Sequence, residues 1–166
     1  MQKKEITEQE AQRKLEALCS RAEHCSFEMI TKMERWGIGE DARQRIVAAL
    51  VKGRYIDDER YARAFANDKI RYNKWGKRKV DQALYMKHIS EDVRHRVLDD
   101  FDDSELKESL RPLLIAKMKS TKAKSDYELS CKLIRFALGR GFGIEETREC
   151  LEDIIKNPDA EDDYEF

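Results

Sequence analysis

"MITKMERWGIGEDARQRIVAAL", Met29 to Leu50, is the stretch that settles the architecture, because its pattern occurs three times in the chain. "VDQALYMKHISEDVRHRVLDDF" begins at Val80 and "LIRFALGRGFGIEETRECLEDI" at Leu133, and the three align without gaps at successive offsets of 51 and 53 residues. Apolar positions coincide: Met29, Val80 and Leu133; Met33, Leu84 and Ala137; Ile38, Ile89 and Phe142. They continue at Ile46, Val97 and Cys150, then at Leu50, Phe101 and Ile154. A period of this length belongs to one supersecondary unit repeated in tandem.

Within each unit the apolar spacing is that of helices. Met29/Met33, Val80/Leu84 and Leu133/Ala137 make one i, i+4 stripe, and the 46/50, 97/101 and 150/154 pairs make another after a break. Gly39, Ser90 and Gly143 occupy equivalent N-cap positions, each followed by acidic residues that favour the positive end of a helix dipole. A further helix precedes each pair, over Thr7–His24, Asp58–Tyr72 and Ser104–Lys119. Pro112 lies inside the last, which predicts a kink or a late start there. The fold class is therefore all-α, an elongated tandem array of three three-helix repeats spanning 1–54, 55–102 and 103–156. Residues 157–166, "NPDAEDDYEF", have no apolar period and read as a disordered acidic tail.

Two prolines and seven glycines in 166 residues agree with long helices rather than a many-turned β fold. The N-terminus lacks the apolar core of a signal peptide, and no run approaches the ~20 apolar residues of a membrane span, so a cytoplasmic protein with no membrane association is expected. Cys131 and Cys150 lie in apolar helical patterns and read as buried, reduced thiols. Cys19, His24 and Cys25 would need a fourth ligand to hold zinc, and their spacing fits no familiar finger. No metal or cofactor is expected.

Near-neutrality, a formal net charge of -1, hides opposite poles. Residues 1–59 carry 11 basic and 12 acidic side chains, residues 60–98 carry 11 and 4, and residues 99–166 carry 11 and 18. A middle of net +7 points to a polyanionic partner. Wound as a helix, Arg60, Arg63, Asn67, Arg71 and Lys74 share an arc of about 80°, without a carboxylate among them. Tyr61 and Phe65 fall on the opposite, apolar side and read as core. An ordinary solvated face mixes signs; this one does not.

Lys77, Arg78 and Lys79 open the next helix, where three cations oppose the dipole and backbone N–H groups can hold phosphate or carboxylate. Between the two, Gly76 reads as the residue that permits a tight turn, and Trp75 fits either core or contact surface. The third helices add Arg43/Arg45 and Arg94/Arg96 in equal register, a basic face that the last repeat, with Thr147 and Glu149, lacks. Surface decoration explains those pairs equally well. Catalysis finds no constellation: His24, His88 and His95 stand in no relation to a nucleophile, and Asp57, Asp58 and Glu59 are explained as cap and dipole partners. The reading is non-enzymatic.

The residues of the middle repeat also carry a resemblance. "GRYIDDERYARAFANDKIRYNKWGKRKVDQALYMKHIS", residues 53–90, resembles the signature region of the RecX family, bacterial regulators of the recombinase RecA. The matching elements are Asp57 to Ala62, Phe65, Gly76 to Val80, Leu84 and the turn at Ile89. The resemblance implies a non-catalytic protein, read here as a monomer, that binds the groove of the RecA–single-stranded DNA filament. It would lower ATP hydrolysis and strand exchange, limit filament growth, and bind single-stranded DNA, and more weakly duplex DNA, by itself. The acidic third repeat departs from a DNA-contacting role and is assigned to protein contacts. The competing reading is a helical DNA-binding module, a transcription-type regulator using one repeat like a helix-turn-helix.

Overall fold

The computed structural model of the chain describes residues 5–158; most of the acidic tail expected at 157–166 lies outside them. Nine α-helices follow in three triplets among the described residues, with no strand. They are α1 (Glu8–Arg21), α2 (Ser26–Arg35) and α3 (Glu40–Lys52); α4 (Asp58–Asn67), α5 (Lys77–Met86) and α6 (Glu91–Asp99); α7 (Asp103–Ser120), α8 (Asp126–Gly139) and α9 (Ile144–Lys156). All fifteen apolar positions of the repeat alignment are buried, from Met29 through Ile154. Burying each of the larger ones contributes roughly 1.5–3 kcal/mol, which is why the spacing alone could place the helices.

Inter-residue contacts gather the chain into two compact units, Met1–Phe65 with Leu84–Val97 and Ala66–Ala83 with Leu98–Phe166. The division passes through the middle triplet rather than between triplets. In the first unit, Ala11 and Leu15 of α1 pack with Met29, Met33, Ile46 and Leu50 of α2 and α3, closed by Ile38 and Ile56. Thr7 starts α1 by accepting the Glu10 N–H at 3.1 Å. Asp58 of α4 accepts the Ser26 N–H at 2.8 Å, so a carboxylate from another helix satisfies the first turn of α2.

In the second unit, Leu106, Leu110 and Leu114 of α7 face Leu133 and Ala137 of α8 and Cys150, Leu151 and Ile154 of α9. Ser125 caps α8 through the Glu128 N–H at 3.1 Å. α7 starts at Asp103, well ahead of Pro112, so the late start expected from that proline does not occur. Pro112 is exposed, and the Glu108 carbonyl deprived of its usual donor lies on that wet side.

One turn recurs in all three triplets. Gly37 (φ 76), His88 (φ 58) and Gly141 (φ 96) end the second helices in left-handed backbone. The next N–H returns five residues in each case: Ile38 to Met33 O at 3.0 Å, Ile89 to Leu84 O at 3.1 Å and Phe142 to Ala137 O at 3.0 Å. This is the Schellman arrangement, which closes the helix end and turns the chain into the third helix.

That turn is also a joint. In the first unit, Cys25 at the start of α2 donates its thiol to Lys87 O at 3.9 Å, and the Phe27 and His88 rings lie 4.0 Å apart. In the second unit the register-equivalent residues meet more tightly: the Gly76 N–H donates to Arg140 O at 2.8 Å and the Arg78 N–H to Gly141 O at 3.1 Å. A Cβ on Gly76 would lie 2.3 Å from Gly141 backbone atoms. Gly76 is therefore needed for close backbone approach, not for the tight turn the sequence reading assigned to it.

The first helix of the middle triplet departs most from expectation. The α-helix predicted over Asp58–Tyr72 stops at Asn67, and Asp68–Tyr72 is a single π-helical turn. The Asn73 N–H reaches back to Asp68 O at 3.2 Å and the Trp75 N–H to Lys69 O at 3.0 Å. Cys131 is a smaller correction: only half-buried, whereas Cys25, which lies in no apolar pattern noted from the sequence, is fully buried and Cys150 is buried as expected.

Candidate functional site

The cations singled out from the sequence fall in both units and are taken unit by unit. In the first, Arg43 and Arg94 make the same contact in the same register: each folds back so that Nη1 donates to the carbonyl of Ile38 (2.6 Å) or Ile89 (2.7 Å). They close the turn before the third helix. In the last triplet the equivalent Thr147 is buried and donates its hydroxyl to Gly143 O at 2.7 Å.

Arg45 and Arg96 also match. Arg45 makes a two-pronged pair with Glu8, at 2.9 and 3.2 Å, and Arg96 meets Glu59 at 2.8 Å. The hydrogen bond from Arg45 draws the Glu8 carboxyl below its ordinary range and holds Arg45 above its own. Glu59 likewise raises Arg96. The third repeat keeps this brace with its sign reversed: Glu149, in the same register, accepts from Lys107 Nζ at 2.7 Å. Of the Arg-x-Arg pairs, Arg45 and Arg96 thus hold third helices to first helices and stay exposed, whereas the half-buried Arg43 and Arg94 close the turns.

Arg60 donates Nε to Glu23 at 2.7 Å and Nη2 to the carbonyls of Arg54 and Tyr55 at 3.2 and 3.3 Å. Arg63 lies 3.7 Å from Glu59, so one carboxylate brings Arg63 and Arg96 together. On the other side of α4, Tyr61 is buried and Phe65 half-buried, with ring centroids 6.0 Å apart. Burial, with Glu28 and Cys25 nearby, pushes the Tyr61 hydroxyl well above its ordinary pKa. The division of this helix into an apolar and a cationic side holds.

In the second unit, Asn67 accepts from Arg71 Nη1, Glu105 accepts from Arg71 Nε at 3.1 Å, and the guanidinium sits 5.2 Å from the Phe101 ring centroid. Lys77 pairs with Asp103 at 3.6 Å, which relieves part of its conflict with the α5 dipole. Lys79 Nζ lies 4.3 Å from the Trp75 ring centroid and Lys69 Nζ 5.1 Å, so the half-buried Trp75 is a cation platform as much as core. Arg78 is exposed, with its guanidinium beside Gly143 at the start of α9. Lys74 is exposed and, at φ 57, in left-handed backbone. Lys74 and Arg78 form no ion pair among the described residues.

Two features escaped the sequence reading. The stripe has no carboxylate of its own, yet Glu23, just after α1, reaches Arg60 and Glu105 of α7 reaches Arg71, which no single-helix winding can show. Tyr72 is 77% exposed. By regular α winding it would lie within about 20° of Tyr61 on the apolar side; the π turn adds a residue to the loop of backbone and swings it out.

Among the described residues no group of three or more His, Cys, Asp or Glu is placed to hold a metal ion, and no helix is long and apolar enough to cross a membrane. The fold and surface define an all-α protein of consecutive three-helix repeats whose middle repeat is cationic. A family model described as "RecX, second three-helix domain" matches residues 57–98. The chain is 32% identical over 143 residues to the regulatory protein RecX of Chlorobium phaeobacteroides, covering 84% of this chain and 90% of that protein. It belongs to the RecX family. A regulatory protein RecX of Clostridium botulinum is 31% identical over 127 residues, of which this chain spans 57% of the length and uses 75% of its own. Among solved structures, RecX from Lactobacillus salivarius superposes with a TM-score of 0.81 over 90% of this chain and 97% of that one, at 17% identity. A second, the crystal structure of regulatory protein RecX, gives 0.78 over 87% and 73%, also at 17% identity. At that identity the likeness is one of fold.

Proposed function

We propose that this chain is a non-catalytic, mainly inhibitory regulator of a RecA-type recombinase. It acts in the cytoplasm as a monomer, binding in the groove of the recombinase–single-stranded DNA filament, lowering ATP hydrolysis and strand exchange, and limiting filament growth. The observation that carries this reading is a coincidence of two spans: the family match over residues 57–98 falls on the segment 60–98 with 11 basic and 4 acidic side chains. A cationic surface meets phosphate in a way that releases counterions and holds the protein in register along a strand.

The residues we assign to ligand contact are Arg43, Arg45, Arg60, Arg63, Arg94 and Arg96 in the first unit, and Asn67, Arg71, Lys74, Lys77, Arg78 and Lys79 in the second. These residues are unequal. Lys74 and Arg78 offer their charge directly, whereas Arg60, Arg71, Arg45 and Arg96 exchange a carboxylate for a ligand. The acidic third repeat takes protein contacts.

The test is DNA-dependent ATP hydrolysis by the cognate recombinase. Wild-type protein suppresses it in proportion to the amount added; the Arg63→Glu/Lys74→Glu/Arg78→Glu variant, helical by circular dichroism, suppresses little. Full suppression by the folded variant removes the assignment of these cations. No suppression by the wild type removes the proposed function.

A further inference from the structure

The Asp68–Lys74 segment combines three unusual features in one place. Its π turn is the only interruption of α-helical winding inside a helix among the described residues. Such turns cost hydrogen-bond regularity and recur at functional positions. Directly after it Lys74 adopts left-handed backbone, which is uncommon and mildly strained for a residue with a side chain. The π turn ends on Tyr72, a large ring left 77% exposed although regular winding would have buried it.

The surrounding structure holds this arrangement in place. Arg140 donates Nη2 to the Asn73 carbonyl and, at 3.3 Å, to the Lys74 carbonyl. Its own carbonyl accepts the Gly76 N–H at 2.8 Å, and Gly141 fills the space beside Gly76 so closely that neither tolerates a Cβ. Arg140 lies in turn 6.0 Å from the Phe136 ring centroid. A strained turn held by Arg140 on its C-terminal side presents an exposed ring, with an exposed cation two residues away.

We propose that Tyr72 is a stacking residue for an unpaired nucleobase, with Lys74 holding the phosphate beside that base. This rests on the reading that the chain contacts single-stranded DNA, and it names the ligand chemistry of one part of that surface. Every base has a π face, so a tyrosine presented in this way binds strands without reading their sequence, and the adjacent ammonium supplies the charge-dependent part. The apolar Tyr61/Phe65 pair has no such role, because its rings face the core. The π turn is what converts the third aromatic of the series from a core position to a platform.

The experiment measures binding of oligothymidylate of about 16 nucleotides, and of an abasic strand of equal length, by fluorescence anisotropy. Removing one stacked base by Tyr72→Ala is expected to weaken oligothymidylate binding about 5- to 100-fold, with little effect on the abasic strand. Tyr72→Phe keeps the ring and binds within about twofold of wild type. Lys74→Gln instead lowers the slope of log affinity against log salt by about one phosphate. Unchanged oligothymidylate binding by Tyr72→Ala, with filament suppression intact, overturns the stacking role and leaves the proposed function standing. Equal losses on both strands, or an equal loss by Tyr72→Phe, also overturn it, since neither depends on a base face. Loss of filament suppression with normal strand binding makes Tyr72 a protein contact and overturns it. Failure of the wild type to bind either strand overturns both the stacking role and the DNA part of the function.

Discussion

Replacing Gly76 by alanine tests the joint between α5 and the α8–α9 turn. The new Cβ would stand 2.3 Å from the Gly141 carbonyl carbon and oxygen and 2.5 Å from the Phe142 nitrogen. These are backbone atoms, so no side chain can rotate away, and the two segments must separate by about 1 Å to reach ordinary contact. Overpacking of this kind costs about 1–3 kcal/mol. Separation also stretches the bonds from Gly76 N–H to Arg140 O and Arg78 N–H to Gly141 O, each contributing about 1 kcal/mol. The total of roughly 3–5 kcal/mol is a large part of the ~5–15 kcal/mol that holds a domain folded. In urea, with a slope of about 2 kcal/mol/M, the transition of the second unit shifts down by roughly 2 M. Gly139→Ala is the matched control: a Cβ there meets nothing within 4 Å, and the substitution is expected to stabilise by about 0.4–1 kcal/mol. A Gly76→Ala midpoint within about 0.3 M of wild type would refute the reasoning.

Lys74→Gly relieves the left-handed backbone at φ 57 and is expected to raise the urea midpoint while weakening single-strand binding, a stability–function opposition that Lys74→Ala does not show. Thr147→Val removes the buried hydroxyl's bond to Gly143 O and costs about 0.5–1.5 kcal/mol, measured by the same unfolding curve. Burial pushes the Cys25 thiol up to about 11 from its ordinary 9.0. A raised folded-state pKa stabilises fully below pH 9.0 and loses that contribution as pH climbs toward 11, so the unfolding midpoint falls over this window. Cys25→Ala removes this part of the fall, leaving the parts due to Cys19, Cys150 and Tyr61, whose pKa values burial also raises in favour of the protonated fold. At pH 8, iodoacetamide followed by mass spectrometry labels half-buried Cys131 well before Cys25.

The repeat was legible because its signal is one of burial. Met29, Val80 and Leu133 mark equivalent interior positions, and each of the fifteen aligned apolar residues is buried. The Schellman turns were half visible: Gly37 and Gly141 declare themselves, but His88 adopts the same φ without being glycine. The missed features depend on partners far along the chain. Arg60 and Arg71 look unpaired on their own helix and meet Glu23 and Glu105 only after folding. Gly76 has the composition of a turn glycine, and only the arrival of Gly141 shows that the constraint is one of space. The π turn at Asp68–Tyr72 has no marker in residue type, so regular winding gives no sign that Tyr72 is exposed. Charge reversal in the Lys107–Glu149 brace shows why Arg43/Arg45 and Arg94/Arg96 could be read as a binding face: the sequence carries the charges but not the helix opposite them.

The most direct test of the central claim is competition between three immobilised targets: a recombinase filament on single-stranded DNA, the naked strand, and duplex DNA of varied sequence. A filament regulator is retained most strongly on the filament, more weakly on the naked strand, and weakly on duplex without regard to sequence. Retention on one duplex sequence in preference to the filament would contradict the account and identify a sequence-reading DNA-binding module instead.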